Sequence, residues 1–343
     1  MTEMTGRLSL VKPDGTVHHN IPGLPAVRGY WFMGLMDVIL HPDFENNRLV
    51  YFSYFAPPQG ERGNGIHEST AEWAKAYLDT TALHDEWKVK DEDFKSGNPF
   101  DRRYIGRGRL ADDEMSIENF ENIFEVGARR MTFGADGKLW VTTWGTEEAQ
   151  DQTKLGSKML RLNYDGSIPD DNPFIGNEYV PDAIYASGFC DPSGTALNPE
   201  THEVWTIEHG PQGGDKINVM RAGTNYGRDY DDAGTPIGEG LSAKPGYEQP
   251  LYFWNPNIAP SSIMFYDGDL FPKWKGNALI TSLKGRQLTR LELVGNNIVA
   301  EERLIEHFGE RLRTVKQGYD GALYIVTDSW ENGQLIKLTP RVN

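Results

Sequence analysis

The stretch GADGKLWVTT, residues 134–143, joins an Asp-Gly turn to a short strand of apolar and aromatic residues. Similar stretches recur along the chain, and a second apolar stretch follows most of them. The turn-and-strand stretches are residues 41–54, 134–143, 198–210, 271–285 and 318–328. The second stretches begin at Met159, Lys216, Gln287 and Gln334. Because a unit of this size cannot bury its own faces, the recurrence predicts the stacked blades of an all-β propeller.

The blade pattern predicts a single propeller domain over residues 1–343. Five blades are predicted from Leu35 onward, and residues 6–24 read as only the outer strands of an incomplete first blade, which makes six. Residues 57–104 interrupt the rhythm with an insertion that is far longer than an ordinary loop. A short helix is predicted within it at residues 69–78. The insertion is either a lid over a central pocket, an oligomer contact or a decorated surface loop.

Composition limits the partners. The chain has 343 residues with 34 Lys and Arg against 50 Asp and Glu, a formal charge of -16, so nucleic acid is not expected as a partner. No stretch of about 18 apolar residues is present, so the sequence predicts a soluble protein with no membrane partner. A single cysteine, Cys190, excludes an intramolecular disulfide. The N-terminus carries no export signal, which leaves periplasmic or extracellular localisation if upstream residues are missing and cytoplasmic localisation otherwise.

Several longer phrases resemble a known family. They are KMLRLNYDGSIPDDNPF from Lys158, EHGPQGGDKINVM from Glu208 and ERLRTVKQGYDGALYIVTD from Glu310. They resemble the soluble PQQ-dependent sugar dehydrogenases, the glucose/sorbosone dehydrogenase family. The resemblance implies a six-bladed propeller that holds a tricarboxylate quinone with cations and a calcium ion, and a histidine that accepts the substrate's hydroxyl proton.

The resemblance places a cofactor site on five residues. Lys284, Arg311 and Arg313 match the family's quinone-binding cations, with Trp254 and Asn257 as further cofactor-binding candidates. Residues i and i+2 of a strand share a face, so both arginines are expected to point the same way. The alternative is that these cations pair with buried Asp or Glu side chains.

The family's calcium ligands are matched in part. Gly210 and Pro211 correspond to its carbonyl donors, and Asp215 follows closely. Carbonyl and carboxylate oxygens suit calcium, but backbone donors leave no distinct pattern in a sequence. Lys216 stands where the family often has an acidic residue, which weakens the expectation of a second calcium ion.

The family's catalytic residues are replaced. Its base lies four residues before the Arg of a segment like GGRLAFGPDG, and this chain reads VGARRMTFGADG, with Val126 at that position. The family's Arg-Asn-Pro-Gln run begins here with Cys190 and Asp191. Asp191 and His209 are the catalytic candidates, because a carboxylate or an imidazole can accept a proton. The alternatives are a metal-ligating Asp191, a structural hydrogen-bonding His209 and a Cys190 that packs as a small apolar residue.

Three functions follow. The first is PQQ-type oxidation of a sugar or alcohol by a rebuilt active site. The second is a quinone-independent lyase, isomerase or hydrolase reaction on an anionic or polyhydroxylated small molecule in the same pocket. The third is a ligand-binding propeller without catalysis. A small-molecule substrate is expected in the enzymatic cases, and a homodimer is kept open.

Overall fold

The computed structural model describes residues 1–3, 6–27, 34–56, 102–145, 148–210, 213–228, 245–329 and 333–341. The chain divides into two compact units, Met1–Ala128 and Arg129–Asn343, which are described separately. Most of the insertion predicted at residues 57–104, including the helix at 69–78, lies outside the described residues. No helix in the described ranges has the length and apolar character to cross a membrane.

The first unit holds a two-stranded hairpin and one four-stranded antiparallel sheet. The strands are β1 (Leu10–Val11), β2 (Val17–His18), β3 (Leu35–Leu40), β4 (Leu49–Ala56), β5 (Arg102–Leu110) and β6 (Ile117–Glu125), with a short helix α1 at Phe44–Asn47. Leu8, Ile21 and Val27, which flank the hairpin, pack in one apolar cluster with residues of the sheet. The Ile117 amide also donates to the Pro22 carbonyl at 2.8 Å, so backbone bonding joins the hairpin segment to β6.

The second unit holds three four-stranded sheets and one three-stranded sheet, each in chain order. The first two sheets contain β7 (Ala128–Phe133), β8 (Leu139–Thr143), β9 (Lys158–Leu162), β10 (Ile184–Ser187), β11 (Asp191–Leu197), β12 (Val204–His209), β13 (Asp215–Val219) and β14 (Tyr252–Trp254). The other two contain β15 (Pro260–Phe265), β16 (Ala278–Ser282), β17 (Leu288–Val294), β18 (Asn297–Leu304), β19 (Leu312–Gln317), β20 (Leu323–Thr327) and β21 (Leu335–Leu338). Single 3-10 turns lie at Pro272–Trp274 and Glu306–Phe308.

These sheets confirm an all-β fold of the propeller type. The described residues form five blade-like sheets from β3 onward, as the recurring stretches predict, together with the separate hairpin. The predicted strands coincide with the second and third strands of the sheets, for example β8 and β9. A count of six blades is not confirmed, because β1 and β2 are the only strands described before β3.

Apolar packing between neighbouring sheets forms the core of the second unit. Trp205 on β12 is fully buried and meets Phe265 on β15 edge to face, with ring centroids 5.2 Å apart. Ile207, Ile263 and Ile280 belong to the same cluster. Two faces that are too small to be stable alone thus bury each other, as the repeat pattern requires.

The sheet topology brings polar side chains to one end of the second unit. The first strands of successive sheets lie against each other, β11 on β15 and β15 on β19. The first and second strands of a sheet are antiparallel, so each first strand begins where the second strand ends. Residues at these positions in different sheets therefore gather at a shared end.

Candidate functional site

Five of the predicted or newly found polar residues lie at this end of the sheets. Asp191 is the first residue of β11 and His209 the last of β12. Lys284 follows β16, Arg311 precedes β19 and Asp328 follows β20. Cross-sheet bonds confirm that these ends meet, because Ser193 Oγ donates to the Pro260 carbonyl at 2.5 Å and Ser261 Oγ donates to the Leu312 carbonyl at 2.7 Å.

The two catalytic candidates contact each other. Asp191 and His209 are directly opposite in the antiparallel register of β11 and β12. Their side chains meet, with Asp191 Oδ2 lying 3.0 Å from His209 Nδ1. The other oxygen, Oδ1, forms an ion pair with Nη1 of Arg129 from β7. The sequence proposed Asp191 and His209 as separate candidates, and the structure joins them in one pair.

The second ring nitrogen of His209 is also engaged. Nε2 lies 2.7 Å from the Pro260 carbonyl oxygen, which can only accept a hydrogen bond. Both ring nitrogens therefore face acceptors, a carboxylate and a carbonyl. A neutral imidazole has one N–H and can satisfy only one of them. Burial, followed by the positive charge of Arg129, lowers the pKa of His209 below its ordinary value of 6.5.

Arg129 is a site residue that the sequence analysis missed. Its position corresponds to the second glycine of the GGRLAFGPDG-like segment. The signal in the sequence was therefore a charged side chain at a position where the family segment has glycine. Burial, and after it the charges of Arg130 and Arg313, lowers the pKa of Arg129 to about 9. Arg129 is still positively charged at neutral pH and is a suitable counter-ion for Asp191.

The predicted arginine pair shares one carboxylate. Arg311 Nε lies 2.9 Å from Oδ2 of Asp328, and Arg313 Nη2 lies 2.7 Å from Oδ1. Leu312 between them is fully buried, so the prediction that residues 311 and 313 share a face is confirmed. Burial raises the pKa of Asp328, but the charge and hydrogen bonds of the two arginines outweigh burial and hold that pKa below 3.8.

Lys284 has an uncharged partner. Its Nζ lies 2.5 Å from Oδ1 of Asn257, and the Asn257 amide donates in turn to the Gly210 carbonyl at 3.3 Å. Lys284 is exposed. This chain of bonds connects two predicted cofactor residues to the loop that follows His209.

Two of the three predicted calcium ligands, Asp215 and Gly210, make other hydrogen bonds. Asp215 is fully buried, and its carboxylate accepts from the backbone amides of Gly210 at 2.8 Å, Ile258 at 2.6 Å and Ala259 at 2.7 Å. The role of Asp215 in the structure is thus to join two loops. Pro211 lies outside the described residues. In the ranges that are described, no cluster of three or more His, Cys, Asp or Glu side chains is arranged for a metal ion.

Two other candidates, Trp254 and Cys190, are buried. Trp254 is buried in β14, and its indole N–H donates to Glu301 at 2.8 Å, so its role at a cofactor remains a prediction. Cys190 is a buried free thiol whose pKa is raised to about 11 by burial and then by Glu208. A thiol that stays protonated packs as a small apolar residue and is not a nucleophile.

Positive charge exceeds negative charge in this set. Four cations, Arg129, Lys284, Arg311 and Arg313, have two carboxylate partners among the described residues, Asp191 and Asp328. The Asp215 carboxylate lies at the same end, where it accepts three backbone amides. Cations that outnumber their own carboxylate partners are suited to binding an anion.

Blade-like sheets with charged side chains at the shared end of their strands place the chain in the class of β-propellers. The family model described as Glucose / Sorbosone dehydrogenase matches residues 1–337, and the chain belongs to this family. The resemblance seen in the sequence is therefore confirmed. The chain is a sugar-dehydrogenase-like propeller of an oxidoreductase family whose substrates are small molecules.

Individual relatives agree with this family. The aldose sugar dehydrogenase YliI of Escherichia coli is 31% identical over 340 residues, covering 94% of this chain and 81% of the relative. A solved glucose dehydrogenase is 33% identical with a TM-score of 0.82, covering 99% of this chain and 92% of that one. The PQQ-bound aldose sugar dehydrogenase of Streptomyces coelicolor is 21% identical with a TM-score of 0.70, covering 98% of this chain and 88% of that one, and supports the fold.

Proposed function

We propose that this protein oxidises a sugar or another alcohol with PQQ as cofactor and that the Asp191–His209 pair accepts the hydroxyl proton. The observation that carries the proposal is the pair itself. Both nitrogens of His209 face acceptors, and a neutral ring can donate to only one of them. One additional proton would let the ring donate to both. Because burial lowers the pKa of His209, the pair lacks that proton at neutral pH and enters the reaction unprotonated.

The cations fit the proposed cofactor. PQQ is a tricarboxylate, and Lys284, Arg311 and Arg313 have only the Asp328 carboxylate among them in the described structure. Two positive charges are thus available for an anion. Bound PQQ would supply the acceptor for the hydride that leaves the alcohol carbon. The chain's residues would hold its carboxylates, orient the substrate's hydroxyl and take the proton.

Calcium is not used in the proposal. The Asp215 carboxylate already accepts three backbone amides, and the Gly210 carbonyl accepts the Asn257 amide. A calcium ion needs six to eight oxygen ligands, and these two residues offer no free carboxylate for it. The proposal therefore assigns no role to calcium.

Titration with PQQ tests the proposal. The purified protein should change its absorbance spectrum on addition of PQQ and then reduce a dye when an aldose is added. Lys284→Met should weaken PQQ binding by about tenfold through loss of one charge-assisted contact. The matched control is Lys275→Met, since Lys275 pairs with exposed Asp269 in the turn before β16. Equal affinity in both variants would contradict the cofactor site.

A cofactor-free reaction is the second candidate. The observation in its favour is the buried, apolar Val126 at the position of the family's base, where proton transfer is impossible. The same cations would then bind an anionic or polyhydroxylated substrate of a lyase, isomerase or hydrolase reaction. Substrate turnover without PQQ and without a dye would support this candidate over oxidation.

The hairpin of β1 and β2 supports a further proposal, that it belongs to a sixth blade. Residues beside it pack against the sheet of β3 to β6, as one blade packs against the next. Removal of residues 1–24 should then lower the melting temperature. An unchanged melting temperature would contradict the assignment.

A further inference from the structure

Two departures from the family's sequence pattern contact each other in this chain. Arg129 stands at a glycine of the GGRLAFGPDG-like segment, and Asp191 stands at the asparagine of the Arg-Asn-Pro-Gln run. They belong to different sheets and are more than 60 residues apart in sequence. The guanidinium of Arg129 nevertheless forms an ion pair with Oδ1 of Asp191. The positive charge and the negative charge that the family pattern lacks at these two positions thus form a pair.

The contact fixes one end of the Asp191 carboxylate. Oδ1 is buried and has no hydrogen-bond partner among the described residues apart from this ion pair. Oδ2 faces His209 Nδ1 at 3.0 Å. Each oxygen therefore has a different partner, and Arg129 determines which oxygen is turned toward the histidine.

We propose that Arg129 is the positioning residue of the proton-accepting pair. It keeps Asp191 ionised and turned so that Oδ2 faces His209. This inference rests on the proposed function, in which that pair accepts the substrate's proton. Without Arg129, the buried Oδ1 would be a charged oxygen with no partner, which is costly. Asp191 would then rotate or bind a proton itself. Either change would weaken the contact between Asp191 Oδ2 and His209 Nδ1.

The neighbouring arginine cannot take over this role. Successive residues of a strand point to opposite faces, so Arg130 is directed away from the face that Arg129 presents to Asp191. The Arg130 guanidinium instead lies against its own strand, where Nη1 donates to the Arg129 carbonyl at 3.5 Å. Position 129 alone on β7 provides a cation to Asp191 in the described structure.

The test compares Arg129→Gln with the conservative variant Arg129→Lys. Arg303→Gln is the matched control, because Arg303 is an exposed residue on β18 that pairs with Glu301. The first readout is the rate of dye-linked aldose oxidation by the PQQ-loaded protein. The second is the ¹⁵N NMR spectrum of the His209 ring in the protein without PQQ, which reports the position of the ring proton independently of activity.

Arg129→Gln should lower kcat by about 10²-fold, the lower end of what a positioned proton acceptor contributes, with little change in KM. Its His209 spectrum should shift toward Nε2–H, and Arg129→Lys should recover part of both effects. Unchanged kcat and an unchanged spectrum would overturn the inference. If wild type oxidises no aldose, the proposed function fails, and the spectrum alone decides the role of Arg129.

If Arg129→Gln folds poorly, the melting temperatures of two other variants test the inference. The double variant Arg129→Gly with Asp191→Asn removes both charges together. It should melt at a higher temperature than Asp191→Asn alone, which leaves Arg129 buried without a counter-ion. A double variant that melts lower, with additive losses, would show that the two residues are not coupled and would overturn the inference.

Discussion

Lys158 offers a sharp test of the electrostatics beside the site. It is the first residue of β9, and its side chain is fully buried. Nζ donates to three backbone carbonyls, those of Glu148 at 2.6 Å, Gly156 at 2.8 Å and Ala149 at 3.2 Å. These bonds hold the loop between β8 and β9, at the same end of the sheets as Arg129.

Burial lowers the pKa of Lys158 from 10.5 to about 8. At about 1.4 kcal/mol per pKa unit, this shift corresponds to at most about 3 kcal/mol. Between pH 8 and 10.5 the unfolded chain binds more protons at this lysine than the folded chain does. Stability from this group therefore rises with pH across that interval and is constant above and below it.

Chemical unfolding of wild type and Lys158→Met from pH 7 to pH 10.5 measures this effect. The difference in unfolding free energy between the two proteins should move in favour of wild type by up to about 3 kcal/mol over that range. Groups other than Lys158 titrate in both proteins, so their contributions cancel in the difference. Parallel curves for the two proteins would refute the assignment of a lowered pKa to Lys158.

Three other predictions concern the site. Asp191→Asn should reduce aldose oxidation by at least about 10²-fold with PQQ affinity unchanged, measured by dye reduction and by titration. Val126→His should increase the same oxidation rate, and no increase in a variant that still binds PQQ would count against the family's geometry here. Asp328→Asn should destabilise the protein by about 1 kcal/mol at pH 6, since two arginines lose their partner. Because the pKa of folded Asp328 lies below 3.8, that difference between the unfolding free energies should persist above pH 3.8 and shrink as the pH falls further.

The fold was largely predictable because it follows from local patterns. An Asp-Gly turn before an apolar strand, as at residues 134–143, marks the second strand of a sheet, and the next apolar stretch marks the third. The first strands of the sheets were harder to locate, since β7 and β11 carry polar residues such as Arg129 and Asp191. The number of blades depends on strands near residues 1–27, where only two-residue strands are described.

The site was predictable only where a residue's role depends on its own strand. The shared face of Arg311 and Arg313 follows from strand alternation and is confirmed by their common partner. That partner, Asp328, comes from the next strand, and Arg129 reaches Asp191 from another sheet. Contacts between sheets produce no periodic pattern of residue types in the sequence, so they cannot be predicted from it. Asp215 shows the same limit, because its three backbone bonds depend on loops that only the folded chain brings together.

In the proposed function, a single substitution at position 191 converts a hydrogen-bonded histidine into a proton acceptor. With an asparagine at position 191, the amide could donate to His209 Nδ1 while Nε2–H donates to the Pro260 carbonyl, and a neutral ring would be satisfied. Asp191 has no such donor, so the same ring now faces two acceptors and is completed only by a further proton. The negative charge also needs a partner, which Arg129 provides. We therefore propose that the Asp191–His209 pair, with Arg129 as its counter-ion, takes the proton-accepting role for which Val126 has no suitable group.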